Sequence, residues 1–195
     1  MAEKLTQGLV QVYTGDGKGK TTAALGLGLR ASGHGFVVEM IQYLKGTGYT
    51  GELESVKNLD KFNINQFGKR CPYFQQIKSG EMECTACGDC FVSENNQLQH
   101  EKFVKSAYQY SQEVLASDTV DVVILDEINN ALRYNFLTVD EVLKLIELKQ
   151  SKTELILTGR GLPEEILDAA DLVTEMKKIR HPFEQGISSR RGIEY

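Results

Sequence analysis

An α/β fold is predicted for this chain, a parallel sheet with helices on both faces, and three observations predict it. Short apolar runs alternate with helix-period segments along most of its length. Val120–Leu125 (VDVVIL) is the clearest buried strand, an apolar run flanked by acidic residues. Gly8–Tyr13 runs into a glycine-rich turn that opens a helix, and a second strand follows, which makes one βαβ unit.

Element by element, Gly8–Tyr13 (GLVQVY) reads as the first strand and Thr14-Gly15-Asp16-Gly17 as its turn. Lys20–Ser32 carries Ala23, Ala24, Leu27 and Ala31 at helical spacing, and Gly33-His34-Gly35 stops it. Phe36–Gln42 is the second strand, and Phe62–Asn65 a short third one. Gly46–Gly51, with three glycines in six residues, reads as a mobile loop. Asn96–Ala116 is a helix, followed by the strand Val120–Leu125. Helices follow at Asn129–Tyr134 and Val139–Leu148, the latter with Thr138 as cap and Glu141 three residues on. Glu154–Leu157 is a strand, Pro163–Ala170 a helix with proline in its first turn, and Leu172–Met176 a last strand.

At 195 residues, 41% apolar and 25% charged, the chain fits a single α/β domain, residues 1–195, with an insert at 66–98 that breaks the rhythm. The formal charge of −5 argues against a general nucleic-acid binder. Met1–Gln7 is short and polar, unlike a secretory signal, and no stretch is apolar enough to span a bilayer. A cytoplasmic protein is expected, without nucleic-acid or membrane partners. All four cysteines fall between Cys71 and Cys90, which in a reducing compartment points to a metal or redox site rather than disulfides.

The turn is where chemistry is legible. A phosphate cradle needs glycines whose amides converge on oxygen, a lysine as point charge, and a Ser or Thr hydroxyl for Mg²⁺ at the helix start. Gly15, Asp16, Gly17, Lys18, Gly19, Lys20, Thr21 and Thr22 supply these between a strand and a helix, with Thr14 where the usual first glycine belongs. The fold class is therefore a P-loop NTPase-like (RecA-like) sheet, binding ATP with Mg²⁺. Lys20 reaches the phosphates, Thr21 holds the metal, and Lys18 adds a second cation. Val120–Leu125 delivers Asp126 and Glu127 to the carboxyl end of the sheet, where Mg²⁺ partners are expected. Asp126 is read as holding metal-bound water, and Glu127 as doing the same or ligating the ion directly, roles the sequence does not separate. Arg160, in Thr158-Gly159-Arg160-Gly161, is placed to contact phosphate, though a solvated turn arginine would look the same.

A phosphate loop gives binding, not a reaction. Thr14–Thr22 with Ala23–Ala31, Gln42-Tyr43-Leu44-Lys45-Gly46, Ile124-Leu125-Asp126-Glu127, Thr158-Gly159-Arg160-Gly161, Arg180-His181-Pro182-Phe183 and Gly192-Ile193-Glu194-Tyr195 resemble the P-loop ATP:corrinoid adenosyltransferases. The resemblance covers about Gly8–Gly51 and Lys102–Tyr195. It implies transfer of the 5′-deoxyadenosyl group of ATP to the cobalt(I) of cobalamin or a cobyrinic acid derivative. Cobalt attacks C5′ and triphosphate leaves. Lys20, Lys18 and Arg160 would then stabilise the leaving group, and no general base is needed. It further implies an aromatic corrinoid pocket that eases reduction of cobalt(II), for which Phe67, Tyr73 and Phe74 are the nearest candidates. A flavodoxin- or flavin-type reductant and a homodimer are also implied. Longer members carry an N-terminal helix over the site, and this chain shows no counterpart before Gly8.

Cys84-x-x-Cys87-x-x-Cys90, with Cys71 upstream and followed by Pro72, lies outside the family pattern. Two successive x-x spacings and a remote fourth cysteine are similar to iron–sulfur ligand sets, whereas structural zinc more often uses two separated pairs. Both metals stay open. The centre would knot an insert too small for its own core, or pass an electron to cobalt. Two rivals remain for the whole chain: a thymidine-kinase-like P-loop enzyme with a zinc insert, and a non-catalytic nucleotide or corrinoid switch.

Overall fold

The computed structural model describes residues 5–46, 50–85, 87–88 and 90–194. Six strands form one sheet: β1 (Val10–Thr14), β2 (Val38–Tyr43), β3 (Phe62–Phe67), β4 (Val122–Asp126), β5 (Glu154–Thr158) and β6 (Leu172–Glu175). Their order is β3-β2-β4-β5-β1-β6, and every neighbouring pair is parallel. One strand, β5, stands between the strand that feeds the phosphate loop and the strand that ends in the acids. Parallel neighbours need crossovers, and helices supply them: α1 (Lys20–Gly33), α2 (Gly51–Val56), α3 (Phe74–Ser79), α4 (Gln97–Ala116), α5 (Ile128–Arg133), α6 (Val139–Leu148) and α7 (Glu164–Asp168).

Side chains on β4 alternate between two cores, which puts helices on both faces. Val123 and Leu125 pack with Val104, Ala107 and Leu115 of α4 and with Val142 and Leu145 of α6. Val122 and Ile124 pack on the opposite face with Ala24 of α1, Val38, Met40 and Phe62. All five residues of β4 are buried, and this explains the apolar run read from the sequence. No helix among the described residues is long and apolar enough to cross a membrane.

Most predicted elements are present with ends shifted by one or two residues, as fraying termini allow. The predicted strand from Gly8 begins instead at Val10. Gly8 is held outside the ladder, its N–H donating to the Ser151 carbonyl at 2.8 Å. Three short elements escaped the reading. Of the predicted mobile loop Gly46–Gly51, residues 47–49 lie outside the described part, and Gly51 already starts α2. Inside the insert, Phe74–Ser79 is helical and closes on Gly80 in the left-handed conformation, φ 82°. Pro182–Gln185 forms a 3₁₀ turn capped by His181, whose Nδ1 accepts from the Phe183 N–H at 3.2 Å. Each is a single turn or so, too short for periodicity to register.

Candidate active site

The glycine-rich loop between β1 and α1 is wedged against the chain that leaves β6. The Gly17 N–H donates to the Met176 carbonyl at 2.6 Å, and the Met176 N–H to the Thr14 carbonyl at 2.8 Å. A Cβ on Gly15 or Gly17 would lie 2.5 Å from the Met176 oxygen, and Gly15 has φ 99°. These two glycines therefore permit a close backbone approach as well as a tight turn. Gly15 and Asp16, expected to bind the nucleotide, stand apart from the rest of the loop. Neither lines the cavity. Asp16 is turned to the far side, where Oδ1 accepts the Lys178 N–H at 2.9 Å. That bond, foremost, holds its carboxyl below the usual carboxylate range.

Gly17, Lys18, Gly19, Lys20, Thr21 and Thr22 do line a cavity of about 540 Å³ at the N-terminus of α1. Lys20 is buried, and its ammonium donates to the Gly15 and Gly17 carbonyls at 2.8 and 2.7 Å. Burial, then the Arg160 charge, pushes its pKa down. Lys45, Glu127 and Arg160 enter the same cavity from the carboxyl ends of β2, β4 and β5. Four cations thus face one space at a helix N-terminus, an arrangement suited to a polyphosphate. Lys45 was not among the residues singled out. Its signal was its place, directly beyond a strand end in a parallel sheet.

Asp126 and Glu127 are adjacent in sequence yet differently placed. Asp126 is wholly buried beneath the cavity floor. Its Oδ1 accepts from the Thr21 and Thr158 hydroxyls at 2.8 and 2.7 Å. Its Oδ2 accepts from Gln42 Nε2 at 3.0 Å and Lys45 Nζ at 2.9 Å. Glu127 reaches the cavity itself, with Asn130 Nδ2 on its Oε2 at 3.1 Å. Burial, and next the Asp126 charge, raises its pKa. The Thr21 hydroxyl and the Glu127 carboxylate face the cavity with Asp126 behind them, hard-oxygen groups of the kind Mg²⁺ takes, so these residues fit that ion.

The C-terminal tail forms the cavity's other wall through His181, Gly192, Ile193 and Glu194. Glu194 pairs with Lys18 at 2.6 Å and with Arg190 at 3.1 Å, and these hydrogen bonds bring its pKa down to about 2. Lys18, expected to serve phosphate, is tied to the tail instead. Tyr195, the last residue of the resembling segment, lies outside the described residues.

The structure does not gather the three aromatics into one pocket. Phe67 tilts against Tyr110, ring centroids 5.7 Å apart, and packs on the α4 side of the core. Phe74 lies under the Arg70 guanidinium at 5.0 Å, in a groove with α2 and β3. Tyr73 is partly exposed. None of the three lines the phosphate cavity. Packing, rather than a shared ligand face, sets their positions. The cysteines are free thiols, Cys71 and Cys90 half-buried, Cys84 and Cys87 exposed. Among the described residues no three His, Cys, Asp or Glu side chains stand in metal-holding geometry.

The model of the ATP:corrinoid adenosyltransferase family (BtuR/CobO/CobP) matches residues 6–195. The chain belongs to that family. A corrinoid adenosyltransferase of a Sinorhizobium species is 35% identical over 198 residues, covering 100% of this chain and 84% of the relative. Corrinoid adenosyltransferase CobA of Salmonella typhimurium is 33% identical, covering 97% and 86%. The Pseudomonas aeruginosa corrinoid adenosyltransferase is 33% identical, covering 99% and 89%. Membership in the adenosyltransferase family thus extends through the cysteine-bearing stretch, which the resemblance read from motifs had left out.

Proposed function

We propose that this member of the family transfers the 5′-deoxyadenosyl group of ATP to the cobalt(I) of a corrinoid, with triphosphate as the leaving group. The observation that carries the reading is the set of four cations, Lys18, Lys20, Lys45 and Arg160, lining one cavity at the α1 N-terminus. Negative charge grows on the triphosphate as the C5′–O bond breaks. Fixed positive groups aimed at it lower the barrier more than they strengthen ground-state binding. Lys20 is preset by the loop carbonyls and turns from them to phosphate. Lys18 exchanges Glu194 for the substrate. Arg160, exposed at the rim, closes on the outer phosphate.

Thr21 and Glu127 would hold Mg²⁺, with Asp126 fixing the Thr21 hydroxyl from below. Bound there, the ion supplies charge neutralisation on the phosphate oxygens. The nucleophile belongs to the corrinoid, so Glu127 needs no role as base. The corrinoid would sit over the cavity mouth, with Phe67, Tyr73 and Phe74 as candidate aromatics that turn toward it when the 67–74 segment moves. A flavodoxin- or flavin-type reductant would supply cobalt(I). Segment 66–98 is read as an insert within one domain, 1–195, its four cysteines as ligands of zinc or an iron–sulfur cluster. A cytoplasmic location and a homodimer complete the reading.

An anaerobic assay with ATP, Mg²⁺ and chemically reduced cobalamin tests it. A light-sensitive cobalt–carbon product is expected. ATP binding with no product would leave a nucleotide or corrinoid switch, and a phosphorylated nucleoside would indicate a kinase.

A further inference from the structure

We propose that Glu52 is the ribose-binding residue of the nucleotide cavity: its carboxylate accepts both hydroxyls of the 2′,3′-diol, with the Thr50 hydroxyl beside it, and so fixes which way ATP lies. This rests on reading the cavity as an ATP site, and it assigns the part of the cavity that the phosphates leave over.

The cavity has two ends of opposite character. Lys18 and Lys20 belong to the loop after β1 and the start of α1, and Arg160 follows β5. Thr50, Glu52 and Ser55 belong to α2 and the residue before it, and α2 packs against β3. The strand order β3-β2-β4-β5-β1-β6 sets β3 and β1 on opposite sides of β4, so α2 closes the cavity on the side away from the loop. Leu25, one turn into α1, also lines it, and rests on the same apolar core as Val56 of α2. At about 540 Å³ the space suits a whole small-molecule ligand rather than a phosphate chain alone.

The α2 end carries hydrogen-bonding capacity that the chain does not use. Glu52 is half-buried, and among the described residues its carboxylate has neither an ion-pair nor a hydrogen-bond partner. Its neighbours differ. Glu54 takes both Lys57 and Lys78, at 2.8 and 3.0 Å. The Ser55 hydroxyl donates to the Gly51 carbonyl at 3.1 Å. Thr50 directly precedes α2, yet its hydroxyl makes no capping hydrogen bond, and its Oγ1 is buried without a partner. A threonine in that place ordinarily spends its oxygen on a helix N–H, and a buried hydroxyl left unpaired is costly.

An ionised carboxylate only accepts hydrogen bonds, and it repels phosphate. Glu52 therefore tells the two ends apart. The triphosphate lies on the loop cations, and the group that meets Glu52 must donate. The ribose diol offers two adjacent O–H donors to two carboxylate oxygens. With the sugar held there and the phosphates held at the loop, C5′ is suspended between two fixed ends, positioned for attack.

The test is calorimetric titration of the full chain, with Mg²⁺ and without corrinoid, using ATP, 2′-deoxy-ATP, 3′-deoxy-ATP and inorganic tripolyphosphate. The native chain should bind ATP about tenfold more tightly than either deoxy analogue. Glu52→Gln should lose about tenfold in ATP affinity, bind the three nucleotides nearly alike, and keep or gain affinity for tripolyphosphate. Thr50→Val should raise the melting temperature of the ligand-free chain while weakening ATP, a pair of opposite effects that a purely structural role would not give. ATP affinity unchanged in Glu52→Gln, or a preference for ATP over its deoxy analogues that persists there, overturns the assignment and leaves the ATP site standing. Loss of tripolyphosphate together with ATP in Glu52→Gln marks a structural role and overturns it too. A Thr50→Val chain that melts lower and binds ATP as before overturns the part given to Thr50. A native chain that binds neither ATP nor tripolyphosphate overturns the reading of the cavity itself.

Discussion

Glu127 combines an uncommon backbone conformation with surroundings that disfavour its charge. It is a non-glycine residue at φ 58°, half-buried beside Asp126, with its pKa raised by desolvation first and that charge second. An acid whose folded pKa lies above its unfolded value destabilises the fold wherever it is ionised in the native state. The penalty is full above the raised pKa and fades as pH falls through it. Ligand-free stability should therefore improve on acidification from neutral pH by a component that Glu127→Gln lacks. The variant should melt higher than the native chain at pH 8, and the gap should close toward acid. The same substitution should weaken Mg²⁺-dependent ATP binding. Thermal melts across pH, paired with ATP titrations, check both. An equal gap at all pH values would mean that charge is not the cause. Asp126 differs because its two oxygens already accept four donors, including the Lys45 ammonium. Sequence showed two acids at a strand end and could not separate them. Separation depends on which way each side chain leaves the sheet, and a single left-handed residue reverses that.

At the scale of elements, the phosphate loop is a joint between α1 and the irregular chain that leaves β6. Gly15 and Gly17 were legible as loop glycines, but their closeness to Met176 was not, because the partner is 161 residues away from Gly15 in sequence. The Asp16 contact is hidden for the same reason: its Oδ1 accepts the Lys178 N–H, which no local pattern announces. Where the cause is local, the sequence sufficed. Thr138 and Glu141 form a complete capping box, each side chain meeting the other's backbone N–H. Thr138→Ala should cost about 1 kcal/mol of unfolding free energy in urea titrations, with no effect on ATP binding. A loss of binding would tie α6 to the site through the neighbouring cavity that Thr138 and Val139 share with Arg160. The short helices α2 and α3 escaped because six residues give too little periodicity, and neither has a side-chain cap.

For the whole molecule, the strand order explains what sequence could reach. Buried parallel strands leave a strong apolar signature, so β4 and β5 were plain, and the sheet's carboxyl edge then assembles Lys45, Glu127 and Arg160 from three separate strands. Order itself is not written locally, and neither is the fold of the C-terminal tail over the loop, where Glu194 engages Lys18. The proposed corrinoid face is the least legible part. Phe67 and Phe74 are spent on packing against Tyr110 and under Arg70, so aromatic residues in the expected segment do not by themselves make a pocket.

The central claim is that the loop clamps a leaving triphosphate rather than a transferred phosphoryl group. Following the phosphates of ATP during anaerobic turnover with reduced cobalamin tests it most directly, with Lys20→Ala alongside. The account predicts intact triphosphate released one for one with the cobalt–carbon product, and a turnover in Lys20→Ala lower by about a hundredfold or more. ADP or free phosphate appearing in step with turnover, or full activity without the Lys20 ammonium, would contradict it.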